Sequence, residues 1–180
     1  MNVFDTQRLS VKIIAEKDRS LFVELLSDPR IIPSAPHRKV KIDDVLTKFK
    51  LSLNASNIPI KGQDNIWGVF IKGHADMIGL AAILTNDEQD WELGYRFLVK
   101  YWGKGYGSEL AAGIVRYTFE ELGFSKITAD VDIVNVASAK ILDKIMLPVK
   151  EFYNDEDRSV DRRYEISKEQ WLSKVRPDVQ

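Results

Sequence analysis

Residues 101–110 read YWGKGYGSEL, with Gly103, Gly105 and Gly107 at alternate positions after an apolar run and before a stretch of helical periodicity. A helix opens with backbone N–H groups that lack intrahelical partners, and its dipole places partial positive charge there. Glycines let that backbone close on a large anion with no side chain in the way. A strand, a glycine-rich turn and a helix in this order make a phosphate cradle. The same glycines would also suit a tight turn with a glycine cap, so the flanking sequence has to decide.

Upstream, NIWGVFIK, MIGLAAILT and WELGYRFLV are apolar runs separated by the polar stretches GHAD and NDEQD, which predicts an antiparallel meander. Downstream, Leu110, Ile114, Val115, Tyr117, Thr118, Phe119 and Leu122 form a helical stripe that Gly123 can cap. A strand, KITADVDI, a helix, VASAKILDKI, and strands around PVKEFY and DRRYEIS follow. Toward the start, RLSVKII alternates as a strand, and Leu21, Phe22, Leu25 and Leu26 mark a helix that stops before Pro29. A loop with a basic cluster, Arg38, Lys39 and Lys41, leads to a second helix carrying Val45, Leu46, Phe49 and Leu53. The order β-α-α-β-β-β-α-β-α-β-β describes an α+β sandwich around a mostly antiparallel sheet.

A chain of 180 residues that is 44% hydrophobic suits one domain, here 1–180. Its 26 basic and 27 acidic residues leave a net charge of -1, without the basic excess of a nucleic-acid surface. Without cysteine there is no disulfide, thiolate metal site or cysteine nucleophile. His37 and His74 are too few for a serine–histidine triad or a histidine-based metal site, and Asp87, Glu88 and Asp90 lack calcium-loop spacing. No metal is expected. No leader or membrane-spanning stretch is visible, which suggests a soluble cytoplasmic protein.

The phosphate ligand can be narrowed further. A P-loop ends in Gly-Lys-Ser/Thr, but Gly105 follows Lys104. The dinucleotide fingerprint needs a third glycine where Ser108 stands and a parallel βαβ context, although Asp130 and Asp132 lie at a suitable distance for a ribose contact.

The block WELGYRFLVKYWGKGYGSELAAGIVRYTFEELGFSKITADVDIVNVASAKILDKI, together with TQRLSVKII, LFVELLSDP, MIGLAAI and RRYEISKEQW, resembles the GNAT superfamily of N-acetyltransferases, and within it the RimJ/RimL-type branch. The resemblance spans nearly the whole chain and implies a GNAT-like α/β/α sandwich. It also implies acetyl-CoA as cosubstrate, its pyrophosphate held by Gly103, Lys104, Gly105, Tyr106, Gly107 and Ser108, with Trp102 where relatives carry Gln or Arg. Phe97, Leu98 and Val99 match the strand along which the pantetheine arm lies, and a backbone N–H near Phe97 matches the oxyanion donor. Glu92 matches the strand carboxylate that acts as general base toward the amine. If this residue, flanked in sequence by Trp91 and Leu93, sits in the cleft, desolvation raises its pKa toward neutrality; otherwise it is a solvated strand residue. Asn135 and Ser138 match a pair near the bound coenzyme, with Ser138 as a candidate acid, and they equally suit a helix cap.

Two departures accompany the resemblance. Leu142 stands where many relatives carry a tyrosine acid, and Met146-Leu147 replaces Gly-Phe at a helix exit that glycine usually turns left-handed. The stretch YNDEDRSVDRR is expected to be a solvated connection between the last two strands. The leading expectation is acetyl transfer to a primary amine, by preference the α-amino group of a ribosomal or other protein as the RimJ/RimL-type resemblance implies, with a small amine such as an antibiotic or polyamine as an alternative acceptor. A non-catalytic coenzyme-A sensor and nicotinamide dinucleotide binding are the alternatives, and the protein could be a monomer or a homodimer.

Overall fold

The computed structural model describes residues 1–31, 40–155 and 157–175. One sheet of eight strands runs through it in the order β1-β2-β3-β4-β5-β6-β8-β7. The strands are β1 (Asn2–Asp5), β2 (Leu9–Lys12), β3 (Asn65–Ile71), β4 (Met77–Thr85), β5 (Trp91–Phe97), β6 (Lys126–Asp132), β7 (Leu147–Asn154) and β8 (Ser159–Ser167). Helices α1 (Arg19–Ser27), α2 (Ile42–Ser52), α3 (Tyr106–Glu120), α4 (Val136–Ile145) and α5 (Lys168–Val175) cover it. No helix among the described residues is long and apolar enough to cross a membrane.

The two faces of the sheet bury separate apolar sets. Leu9, Val11, Trp67, Val69, Leu93 and Phe97 pack with Leu110, Ile114 and Phe119 of α3. On the opposite face, Ile66, Phe70, Met77 and Leu80 pack with Phe22 and Leu25 of α1 and with Val45 and Phe49 of α2. Strand alternation sends successive side chains to opposite faces, so β5 places Leu93, Tyr95 and Phe97 toward α3 and Glu92 and Arg96 toward α1 and α2.

Every strand pair is antiparallel except β5 with β6, which is parallel and matched only at Glu92↔Thr128. β5 continues through Phe97 on β4, where Gly79 faces Phe97. β5 and β6 therefore part beyond Glu92 and open a wedge in the middle of the sheet. The wedge positions the site.

Several expectations change at the level of elements. The N-terminal strand belongs to a hairpin, because β1 precedes it and Phe4 stacks on Tyr117 of α3 at 4.8 Å between centroids. KEQWLSKV forms α5, anchored by Trp171 against Phe119 at 5.6 Å. The predicted strand at Leu98 and Val99 ends at Phe97 instead: Leu98 donates to the Ile78 carbonyl at 3.0 Å, and its own carbonyl accepts from Tyr101 at 2.9 Å, closing a 3₁₀ turn over Val99–Tyr101. YNDEDRSVDRR is not one loop. Its first residues lie in β7 and its last five in β8, where Asp161 and Arg163 are buried. At the exit of α4, Met146 is extended (φ -124, ψ 174) and buried, so its side chain fills the core and no left-handed turn is needed.

Candidate active site

The loop before α3 has the backbone that its glycines predict. Gly103 and Gly105 are left-handed, with φ of 71 and 78, and Gly105 is the N-cap of α3 without a side-chain cap. The first N–H groups of α3 are thus left for a ligand. Gly107 has ordinary helical backbone, and a Cβ there would come within 2.9 Å of Ile141 Cδ1, so a larger residue would have to displace the end of that side chain between α3 and α4.

Arg8, between β1 and β2, braces this loop from outside the sequence motif. Its backbone N–H and Nε donate to the Glu109 carboxylate at 2.6 Å each, and Nη1 donates to the Lys104 carbonyl at 3.1 Å. Its guanidinium lies 4.6 Å from the centroid of the Tyr106 ring. Burial would raise the pKa of Glu109, but hydrogen bonds from Thr6 and Arg8 outweigh it and hold the carboxyl below its ordinary range.

Two cavities meet at the wedge. One, of about 650 Å³, is bounded by the loop and the start of α3 on one side and the start of α4 on the other. Phe97, Trp102, Gly103, Gly105, Tyr106, Gly107, Ser108, Asn135 and Ser138 border it; Leu98, Val99 and Lys104 do not. Leu98 is buried on the α1 side, and the Lys104 ammonium lies 5.3 Å from the Tyr101 ring centroid. The Trp102 indole donates to the Phe97 carbonyl at 2.8 Å. Since the Leu98 N–H points at β4, alternation turns the Phe97 N–H toward the wedge.

The second cavity, of about 390 Å³, lies on the α1–α2 side and is bordered by Glu92, Asp130, Asp44, Asp157, Lys41 and Arg96 among others. Tyr95, Arg96, Asn135 and Ser138 border both cavities. His37, Arg38 and Lys39 lie outside the described residues.

Glu92 stands at the single β5–β6 pair. Burial, then the charge and hydrogen bonding of the adjacent Asp130 carboxyl, push its pKa up to about 8, against the opposing charge of Arg163. Arg163 of β8 is a residue that sequence reasoning missed. Its Nε and Nη2 grip Asp130 at 2.8 and 2.6 Å, Nη2 reaches Asp87 at 2.7 Å, and Nη1 lies 2.9 Å from Glu88. The guanidinium lies 5.0 Å from the Phe152 ring centroid. The Asp130 carboxylate is therefore engaged within the fold, and Asp132 accepts from the Val134 N–H at 3.0 Å, which removes both from the ribose role.

At α4, the Asn135 side chain accepts from the Ser138 N–H at 3.2 Å, the helix cap that this pair suits. Leu142 is buried at 2% exposure.

A glycine-lined helix start opens onto the wedge where Glu92 stands, an arrangement suited to group transfer from a phosphate-bearing donor. The chain belongs to the GNAT acetyltransferase family: residues 8–146 match its Acetyltransferase (GNAT) domain, and the protein is an acetyl-CoA-dependent N-acetyltransferase. It is 28% identical to an FsC-acetyl coenzyme A-N(2)-transacetylase of Aspergillus fumigatus, over 97% of this chain and 80% of the relative. It is 23% identical to an uncharacterized N-acetyltransferase, p20, of Bacillus licheniformis, covering 92% and 93%. Among solved structures, a GNAT-family acetyltransferase from Bacillus anthracis superposes with a TM-score of 0.75 at 24% identity, covering 92% of this chain and 98% of that one. A spermidine N-acetyltransferase from Vibrio cholerae, in complex with CoA and spermine, superposes at 0.72 with 16% identity over 92% and 98%.

Proposed function

We propose that the protein acetylates a small primary amine, with Glu92 as the general base and the Gly103–Ser108 loop holding the coenzyme pyrophosphate. The observation that carries this reading is the meeting of the two cavities at Tyr95, Arg96, Asn135 and Ser138, which gives a donor and an acceptor separate approaches to one point. The thioester carbonyl sits at that point, its oxygen accepting from the Phe97 N–H. The amine enters from the cavity lined by Asp44, Asp157, Asp130 and Glu92 together with Lys41, Lys48 and Arg96, and Asp44 and Asp157 can meet an ammonium there. Glu92 then takes its proton, directly or through a water.

A small acceptor fits a cavity of about 390 Å³ and accords with the spermine bound by the Vibrio structure. A protein α-amino group, the acceptor implied by the RimJ/RimL-type resemblance, is the second reading. Lys41 and Arg96 on the same wall favour it, since they can meet the carbonyl or acidic groups of a peptide.

The test is release of coenzyme A thiol from acetyl-CoA with spermidine, free amino acids and Ala- or Ser-initiated peptides as acceptors. Turnover with a small amine, reduced roughly 10²- to 10³-fold in Glu92→Gln, is expected. Turnover with peptides alone would move the assignment to protein N-termini. Unchanged turnover in Glu92→Gln would remove the base assignment.

A further inference from the structure

Arg163 is buried within a row of charges that crosses the sheet on the acceptor side. Glu92 of β5 pairs with Thr128 of β6, and Asp130, two residues further along β6, points to the same face. The β6–β8 register sets Arg163 directly opposite Asp130, and the β7–β8 register sets Lys150 opposite Arg163. Four neighbouring strands thus carry Glu92, Asp130, Arg163 and Lys150 in turn, two acids and then two bases. Arg163 reaches Asp130 with both Nε and Nη2, a fork that fixes where the carboxylate and its charge stand. The 86–90 turn draws on the same guanidinium, Asp87 through Nη2 at 2.7 Å and Glu88 beside Nη1 at 2.9 Å, while Glu88 also meets Lys150. One arginine therefore serves three carboxylates, and Glu92 stands next to the one it holds by two bonds. Other charges face Glu92 from the remaining walls: Arg96 lies further along β5, Lys41, Asp44 and Lys48 belong to α2, and Asp157 precedes β8. These border the open cavity, where solvent screens them, whereas Arg163 acts through the protein interior.

We propose that Arg163 is a positioning residue for acetyl transfer: by gripping Asp130 it fixes the carboxylate that stands against Glu92, and so sets how readily Glu92 accepts the proton of the amine. The inference rests on the reading of Glu92 as general base. The acceptor's proton passes to a Glu92 oxygen, directly or through a water, only when that carboxyl is ionised, and a nearby cation favours the ionised form. Burial and Asp130 oppose ionisation while Arg163 favours it, and the balance leaves the pKa pushed up to about 8. Removing the guanidinium therefore moves ionisation to still higher pH.

The experiment follows the Glu92 carboxyl by carbon-13 NMR in ligand-free protein labelled at its glutamate carboxyls, with Glu92→Gln to assign the signal, beside the pH profile of kcat/KM. In Arg163→Gln the Glu92 midpoint should lie about one pH unit above that of the wild type, and the rise in kcat/KM should move with it. Arg163→Lys returns the charge without the fork and should fall between the two. In Asp130→Asn, which lacks the carboxylate that Arg163 grips, adding Arg163→Gln should move the midpoint less. Equal midpoints in wild type and Arg163→Gln overturn the role of Arg163 and leave the transferase reading standing. A carboxyl that moves without the kcat/KM rise, or without any turnover, overturns Glu92 as the base and this inference with it. Should Arg163→Gln misfold, Glu88→Gln at the exposed rim serves: it removes a carboxylate that competes for Nη1, so the midpoint should move to lower pH, and an unmoved midpoint counts against Arg163.

Discussion

The proposed role of Glu92 as general base has a pH signature. With its carboxyl held near pH 8 by burial and Asp130, kcat/KM should climb as pH rises toward 8 and the base ionises. Asp130→Asn removes the adjacent negative charge and should move that rise to lower pH, which a pH–rate profile would show. The same group shapes stability. Its folded pKa lies above its unfolded value, so its contribution is full below about pH 4.5 and is lost as pH rises through about 8. Denaturant unfolding of Glu92→Gln across this window should show a flatter decline than the wild type. Glu92 was a candidate only through the family resemblance, since WELGY by itself suits a solvated strand glutamate equally well. Its partners were not legible, because Asp130 and Arg163 are 33 positions apart and meet only through the β6–β8 register.

The loop–helix element is where the sequence speaks most plainly, since left-handed backbone leaves few residue choices. A Cβ on Gly105 meets Arg8 Nη2 at 3.4 Å and must also adopt a φ of +78. Gly105→Ala should therefore cost about 1–2 kcal/mol, read as a lowered Tm, and weaken acetyl-CoA binding. Arg8→Ala frees the same loop at the Lys104 carbonyl and should raise the KM for acetyl-CoA more than it lowers kcat. The meander was legible because period-two apolar runs alternate with polar turns. The hairpin strand β1 and helix α5 were not: NVFD is too short to show a period, and α5 buries none of its residues fully, so tertiary contacts at Phe4 and Trp171 define them. The α4 exit shows the limit of family analogy. Met146 takes an extended conformation and a core position, and Met146→Ala should cost about 2–5 kcal/mol through the cavity it leaves.

Across the whole molecule, function follows from one departure from regularity, the parting of β5 and β6 after Glu92↔Thr128. Element types and their order were largely readable, but strand neighbours are chosen by long-range pairing, which local pattern does not encode. β8 inserts between β6 and β7 and brings Arg163 beneath the wedge. Through that one guanidinium the 86–90 turn, β6 and β8 are tied together at the acceptor side. The cavity on the other side is walled by the end of β5, the loop before α3 and the starts of α3 and α4, with Arg8 bracing the loop.

The measurement that tests the account most directly is the unfolding temperature of the wild-type protein with acetyl-CoA and, separately, with NAD. A ligand bound only by the native state at about 100 times its Kd stabilises by about 2.7 kcal/mol, which for a chain of this size is a rise of roughly 5–10 °C. The account predicts that rise with acetyl-CoA and none with NAD. An unmoved transition with millimolar acetyl-CoA would contradict it.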